Sequence, residues 1–245
     1  MEQKFASEFC SWTLKRSLVL MLFILHMHIP HQVYAAEEII LATQISSTFT
    51  DKGQPIIQCA FKKIGHSLKI EKVPWNRAQI DTRNGKYSGF FMATQNRTRD
   101  AYATFTQPFI EVKWVYVVRK KSNITLSNAD FEQKIFAANN GTSRLIWLLE
   151  QHKNNKIAHQ IFKAESTITL LRMMLLNRMD IILENTANLE RAAAENQIDM
   201  SEFKILPAQK KPMAVYFSHS FLKRNPTFLM AYNTAIVTCK TERLD

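Results

Sequence analysis

From Glu38 onward the hydrophobic pattern switches repeatedly between short apolar runs and helical spacing. "IILATQ" (39–44) predicts a strand and "SSTFTDKG" (46–53) a polar loop. The next segment predicts a helix, because Ile57, Ala60, Phe61 and Ile64 recur on one face, with Gly65 ending it. "LKIEKV" (68–73) alternates as a strand, Pro74 opens a second helix through "WNRAQIDTRN", and Gly85 closes it. Strand, helix, strand, helix is the rhythm of a parallel α/β sheet.

That rhythm returns after a break. "WVYVVRKKSN" (114–123) is a long apolar strand running into a polar linker, and "KIFAANNGTSRLIWLLEQH" (134–152) is a strand, a turn at Asn140 and Gly141, and a helix with an apolar face. The helix "STITLLRMMLLNR", the strand "DIILEN" and the helix "NLERAAAENQ" follow. The last segment, "KPMAVYFSHSF" and a helix from Pro226 to Cys239, has no sheet of its own and is expected to cross back to the first half. The expected organisation is a first lobe over 36–120, a second lobe over 121–208, and a return over 209–245. Chain crossings near 119–122 and 209–213 would leave a cleft between the lobes. Small molecules bind in such places, beside the carboxyl ends of parallel strands.

The N-terminus alters the picture. Lys15 and Arg16 precede the apolar run "SLVLMLFIL" (17–25), and "VYAA" (33–36) offers small residues to a signal peptidase. The run is shorter than the roughly 20 residues a bilayer span needs. Residues 1–35 therefore read as a secretory signal cut near Ala35, with Val33 and Ala35 before the cut, the alternative being a signal anchor or a buried helix. Cys10 precedes the apolar run, which does not fit a lipoprotein signal.

Export bears on charge and cysteine alike. The 245-residue chain carries +11; without three basic and two acidic residues of the signal it carries +10, spread along the chain rather than clustered. That distribution and the export signal argue against nucleic-acid binding. Cleavage removes Cys10 and leaves Cys59 and Cys239 in an oxidising compartment. A disulfide tying the last helix to the first is the prediction; two separate buried thiols are the alternative. No nucleophile elbow, phosphate loop or zinc-binding histidine pair is present. His26, His28 and His31 fall inside the signal, and His152 and His159 on polar helical stretches, so neither a metal nor a cofactor is expected.

One ordered set of segments carries more. "VPWNRAQ", the strand end from Gly89 to Thr94, "RTRDAYATFTQPF", "VYVVRKKS", "NNGTS" and "LLNRMDIILEN" follow one another over most of residues 38–240. Together they resemble the family 3 extracytoplasmic solute-binding proteins. The resemblance implies a two-lobed type II periplasmic binding protein, each lobe a mostly parallel sheet flanked by helices, with two hinge crossings. It also implies a monomeric periplasmic receptor, not an enzyme, that closes on a small carboxylate-bearing, amino-acid-like solute and delivers it to an ABC-type membrane permease. A sensory or structural module on the same fold is the alternative. A dehydratase-like enzyme is a third reading, for which Glu184 is the one candidate acid or base.

The resemblance also implies site residues. In that family an arginine lies six residues before a Phe, Ser or Thr, any residue, Pro sequence; "FTQP" (105–108) then puts Arg99 in the carboxylate-clamping position. Thr94, five residues earlier, supplies a hydroxyl and a backbone N–H, and Arg97 is off register. Thr142 and Ser143 open a helix whose free N–H groups receive the other side of the anion; Thr142 also suits an N-cap, and the roles coexist. Amino-acid binders of the family usually have an aspartate five residues after the position of Asp180, to hold the ligand ammonium; this chain has Asn185 there, preceded by Glu184. Either Glu184 substitutes, or the ligand is not an ordinary α-amino acid. The stacking aromatic many relatives carry after the first strand is represented by Phe49 alone, so an aromatic wall would come from Trp75, Phe90 or Phe91, with Trp75 preferred.

Overall fold

The computed structural model describes residues 38–45, 48–126, 131–154 and 160–242. The expected signal over 1–35 and His159 lie outside the described residues.

The strands are β1 (Ile39–Gln44), β2 (Leu68–Val73), β3 (Gly89–Thr94), β4 (Ala103–Phe105), β5 (Ile110–Arg119), β6 (Ile135–Asn139), β7 (Gln160–Ala164), β8 (Ile181–Asn185) and β9 (Phe203–Ser218). The α-helices are α1 (Thr48–Lys63), α2 (Trp75–Arg83), α3 (Arg97–Asp100), α4 (Ser143–Lys153), α5 (Thr167–Leu175), α6 (Thr186–Glu195), α7 (His219–Arg224) and α8 (Phe228–Thr241). The strands form one sheet in the order β2-β1-β3-β9-β5-β8-β6-β7, with β4 added against β9.

Two parallel triplets stand in that order. β1 runs parallel to β2 and β3, and β6 runs parallel to β7 and β8. The antiparallel pair β5 and β9 joins them: β9 reaches β3, and β5 reaches β8. β5 meets β8 from Trp114 to Val117, whereas β9 meets β3 from Met213 to Phe217. The change of partner thus falls near Ile110–Trp114 on one strand and Gln209–Met213 on the other. On the first strand that is earlier than the 119–122 expected, because the apolar run of β5 is already paired inside the second triplet.

Two further expectations change. Thr48–Gly53, read as a polar loop, is the first part of α1. Thr50 is buried there, bonded through its hydroxyl to Thr43 at 3.0 Å, and Phe49 packs against the core, so tertiary contacts overrule a polar local pattern. The return segment begins earlier than "KPMAVYFSHSF", as one strand of 16 residues that contains Pro207 and Pro212. Both prolines precede Met213, where β9 gains its second neighbour, and a strand with an open edge tolerates a missing N–H.

The final helix packs on the first half of the chain. Phe61 of α1, Phe217 of β9 and Phe228 and Tyr232 of α8 form an aromatic cluster with centroid separations of 4.9–6.4 Å. Beside it Cys59 and Cys239 form the disulfide, with Cα atoms 6.0 Å apart and 180 residues between them. Closing so long a loop restricts the unfolded chain strongly. Replacing both cysteines by serine is expected to lower stability by about 2–5 kcal/mol. A melting temperature equal to that of the oxidised protein would show that the bridge adds nothing.

Candidate functional site

The carboxyl ends of β1, β3 and β8 converge on one cavity, lined there by Thr43, Gln44, Thr94 and Asn185. This is where the topology of parallel sheets leaves a crevice. The cavity offers about 50 Å³ to water-sized centres. That suffices for roughly three to five waters, so a solute enters only if the walls part. Trp75, Arg99, Thr142 and Ser143 line it too.

Arg99 is held at the short helix α3, where Asn96 accepts its backbone N–H at 3.0 Å as N-cap. The side chain is 2% exposed. Its Nε donates to Gln79 Oε1 at 2.9 Å, and Nη1 to the Thr94 carbonyl and Ser143 Oγ at 2.7 Å each. Nη2 reaches the Gly141 carbonyl at 3.4 Å. Trp75 and Phe90 face the guanidinium, with centroids 5.1 and 5.8 Å away. These acceptors are neutral, and among the described residues Arg99 makes no ion pair. Burial consequently pulls the guanidinium pKa down to about 10, against the opposing pull of Tyr216 and Tyr102. Arg97, two residues away, is exposed.

The second half approaches from α4. Thr142 is its N-cap, accepting the Leu145 N–H at 3.3 Å and donating to the Asn139 carbonyl at 2.7 Å. Ser143 Oγ accepts from Arg99 and from Asn96 Nδ2 at 2.8 Å, and donates to the Thr94 carbonyl at 3.2 Å. Gly141 sits at φ 67°, and a Cβ there would collide with Asn76 Oδ1. Only glycine allows this turn to approach α2, where Trp75 Nε1 and Gln79 Nε2 donate to the Gly141 carbonyl at 3.1 and 3.2 Å.

Glu184 and Asn185 separate, as neighbours on a strand do. Asn185 lines the cavity while its Oδ1 caps α6, accepting the Asn188 N–H at 2.8 Å. Glu184, expected as a possible ligand contact, does not line the cavity: it is 0% exposed and fully engaged within the protein. Its Oε1 takes Arg144 Nη2 at 2.8 Å and the Asn185 N–H at 2.7 Å; its Oε2 takes Asn139 Nδ2 at 2.7 Å and Thr167 Oγ1 at 2.8 Å. Of the aromatic candidates, Trp75, Phe49 and Phe91 line the cavity, whereas Phe90 stacks on Tyr216 in the core beneath.

The sequence reading did not single out Trp114, Arg144 or Asn188, which also line the cavity. Arg144 directly follows the predicted "GTS" helix start, a signal that could have found it; Trp114 and Asn188 read locally as an apolar strand and a polar helix. Met92, at φ 62° where the β3 register shifts, is a fourth. Such bulges re-aim side chains beside binding sites. The described lining holds two arginines and no carboxylate, histidine or cysteine. It can hold an anion, and it offers no group that exchanges a proton near neutrality.

No protein-family model matches the sequence, and no curated protein matches it either. Solved structures do match its fold. A histidine kinase sensor domain with similarity to periplasmic binding proteins aligns at TM-score 0.70 and 10% identity, covering 85% of this chain and 92% of that one. Arginine-bound ArgBP from T. maritima aligns at 0.62 and 16%, covering 82% and 95%. The arginine-, lysine-, histidine-binding protein ArtJ from the thermophilic bacterium Geobacillus stearothermophilus aligns at 0.64 and 14%, covering 84% and 90%. The architecture they share, two parallel triplets joined by a pair of antiparallel strands in this chain, is that of the two-lobed periplasmic binding proteins, and this chain has that type II fold.

Proposed function

We propose that the chain is an exported, periplasmic solute receptor that closes around a small carboxylate-bearing solute and presents it to a membrane permease. The observation that carries this reading is Arg99, a buried cation that makes no ion pair among the described residues, at the mouth of parallel strands from both halves. A carboxylate would replace Ser143 Oγ and the Gly141 carbonyl at its outer edge with two charge-assisted bonds. Thr94 and the first turn of α4, at Thr142 and Ser143, would complete the anion site, and Trp75 would form its aromatic wall. The lobes would follow the two triplets, the expected 36–120 with 209–245 and 121–208 adjusted to a change of side near Ile110–Trp114 on β5 and Gln209–Met213 on β9, the strands on which they would turn. Differential affinity for the closed form would drive the motion.

The amino-acid binding proteins ArgBP and ArtJ support a role in solute capture. The sensor domain supports a second reading, in which the same closure reports the solute instead of delivering it. Both readings need a ligand, so the test is a thermal-shift titration against α-amino acids and carboxylates lacking the amine. A ligand at about 100 times its Kd adds roughly 2.7 kcal/mol of stability, seen as a raised melting temperature. No rise with any of them would sink the receptor reading.

A further inference from the structure

The charges and unpaired polar atoms of the cavity narrow the solute further, on the reading above that the cavity is a solute site. Arg99 is one uncompensated positive charge; Arg144 is a second, already neutralised by Glu184 at 2.8 Å. The lining carries no acid that could receive a positive group. Glu184 is not available for that purpose, because four donors already occupy its two oxygens. Asn185 carries no charge to offset a positive group, and its oxygen already accepts the capping N–H of α6.

Among the described residues six buried side-chain polar atoms lack a partner, and three of them belong to residues of the lining. Trp114 Nε1 and Arg144 Nε are donors, on residues 3% and 8% exposed; Asn188 Oδ1 is an acceptor, on a residue 8% exposed. Buried polar groups are ordinarily satisfied, and a solute that both accepts and donates hydrogen bonds would satisfy these three as the walls part. That molecule accepts from two donors and donates to one neutral acceptor.

We propose that the cavity selects a small hydroxycarboxylate: a monoanion whose carboxylate offsets the charge of Arg99 and whose hydroxyl serves Trp114, Arg144 and Asn188, with no ammonium group. A hydroxyl both accepts and donates, which suits this mixed set. An ammonium in its place has nothing to offer the indole N–H and adds a second positive charge to that of Arg99, with no carboxylate in the described lining to balance it.

The test is calorimetry on the purified protein with matched skeletons: lactate, alanine and propionate, then 2-hydroxyisovalerate and valine. The expected result is that each hydroxy acid binds at least about tenfold tighter than its amino partner, since a site with buried polar groups rejects an analogue that leaves them unpaired. Asn185→Asp keeps an N-capping oxygen and adds the missing negative charge, and should shift that ratio at least about tenfold toward the amino acid. Alanine or valine binding as tightly as its hydroxy partner overturns the inference and leaves the receptor reading standing. Propionate binding as tightly as lactate overturns the role of the hydroxyl. If none of the five binds and the wider thermal-shift panel is also silent, the receptor reading falls with it.

Discussion

Glu184→Ala is expected to destabilise the fold by about 3–5 kcal/mol, the cost of breaking a buried ion pair from one side. The carboxylate is wholly buried at the end of β8, ties α4, α5 and β6 to that strand through Arg144, Thr167 and Asn139, and accepts the Asn185 N–H of its own strand. Its removal leaves the Arg144 charge without a partner and takes an acceptor from the Thr167 hydroxyl, the Asn139 amide and one backbone N–H. Asn139 Oδ1 is already unpaired, so that amide would keep only its 2.8 Å bond from Nδ2 to Thr167 Oγ1. The measurement is a denaturant midpoint, with an unchanged slope showing that stability rather than compactness has moved. Arg144→Ala in the same background should give back part of the loss, because both ends of the pair are then gone. A loss below about 1 kcal/mol would mean that Glu184 is no more than a median exposed ion pair.

Arg99→Ala is expected to weaken solute binding by about 10- to 150-fold, corresponding to 1.5–3 kcal/mol for hydrogen bonds made by a charged group. Arg99→Lys should recover little of it, because an ammonium cannot present two parallel donors or spread a planar charge against Trp75 and Phe90. The substitution also removes the bonds from Arg99 to Ser143 and Gly141, which join the two halves without a ligand. Small-angle scattering of the ligand-free variant should therefore report a larger radius of gyration than the parent. Undiminished affinity in calorimetry would move the anion away from Arg99 and toward Arg144.

Much of the fold is legible locally. β1, β2, β6 and β8 and the helices after Pro74 and Thr142 follow from short apolar runs, alternation, helical spacing and capping residues a few positions apart, whereas β3 enters through the family resemblance. β9 was only half legible, since two prolines argue against a strand until the single-sided pairing before Met213 is known. The start of α1 was illegible, because its stabilising contacts come from β1 and the core, not from its own polar sequence.

The site divides in the same way. Arg99, Thr94, Thr142 and Ser143 stand in short ordered motifs, and the family pattern that those motifs resemble separates Arg99 from Arg97 by register. It also presents the choice between Glu184 and Asn185. Only the tertiary structure shows which of the two lines the cavity, since the side-chain donors that bury Glu184 come from three other elements, β6, α4 and α5. The same holds for Trp114, Arg144 and Asn188, whose unpaired atoms acquire meaning when β5, α4 and α6 meet around one cavity. Local pattern determines which elements form and where they end, because propensity and periodicity act over a few residues. Charge balance and polar satisfaction are sums over neighbours in space, and those neighbours exist only once the chain has folded.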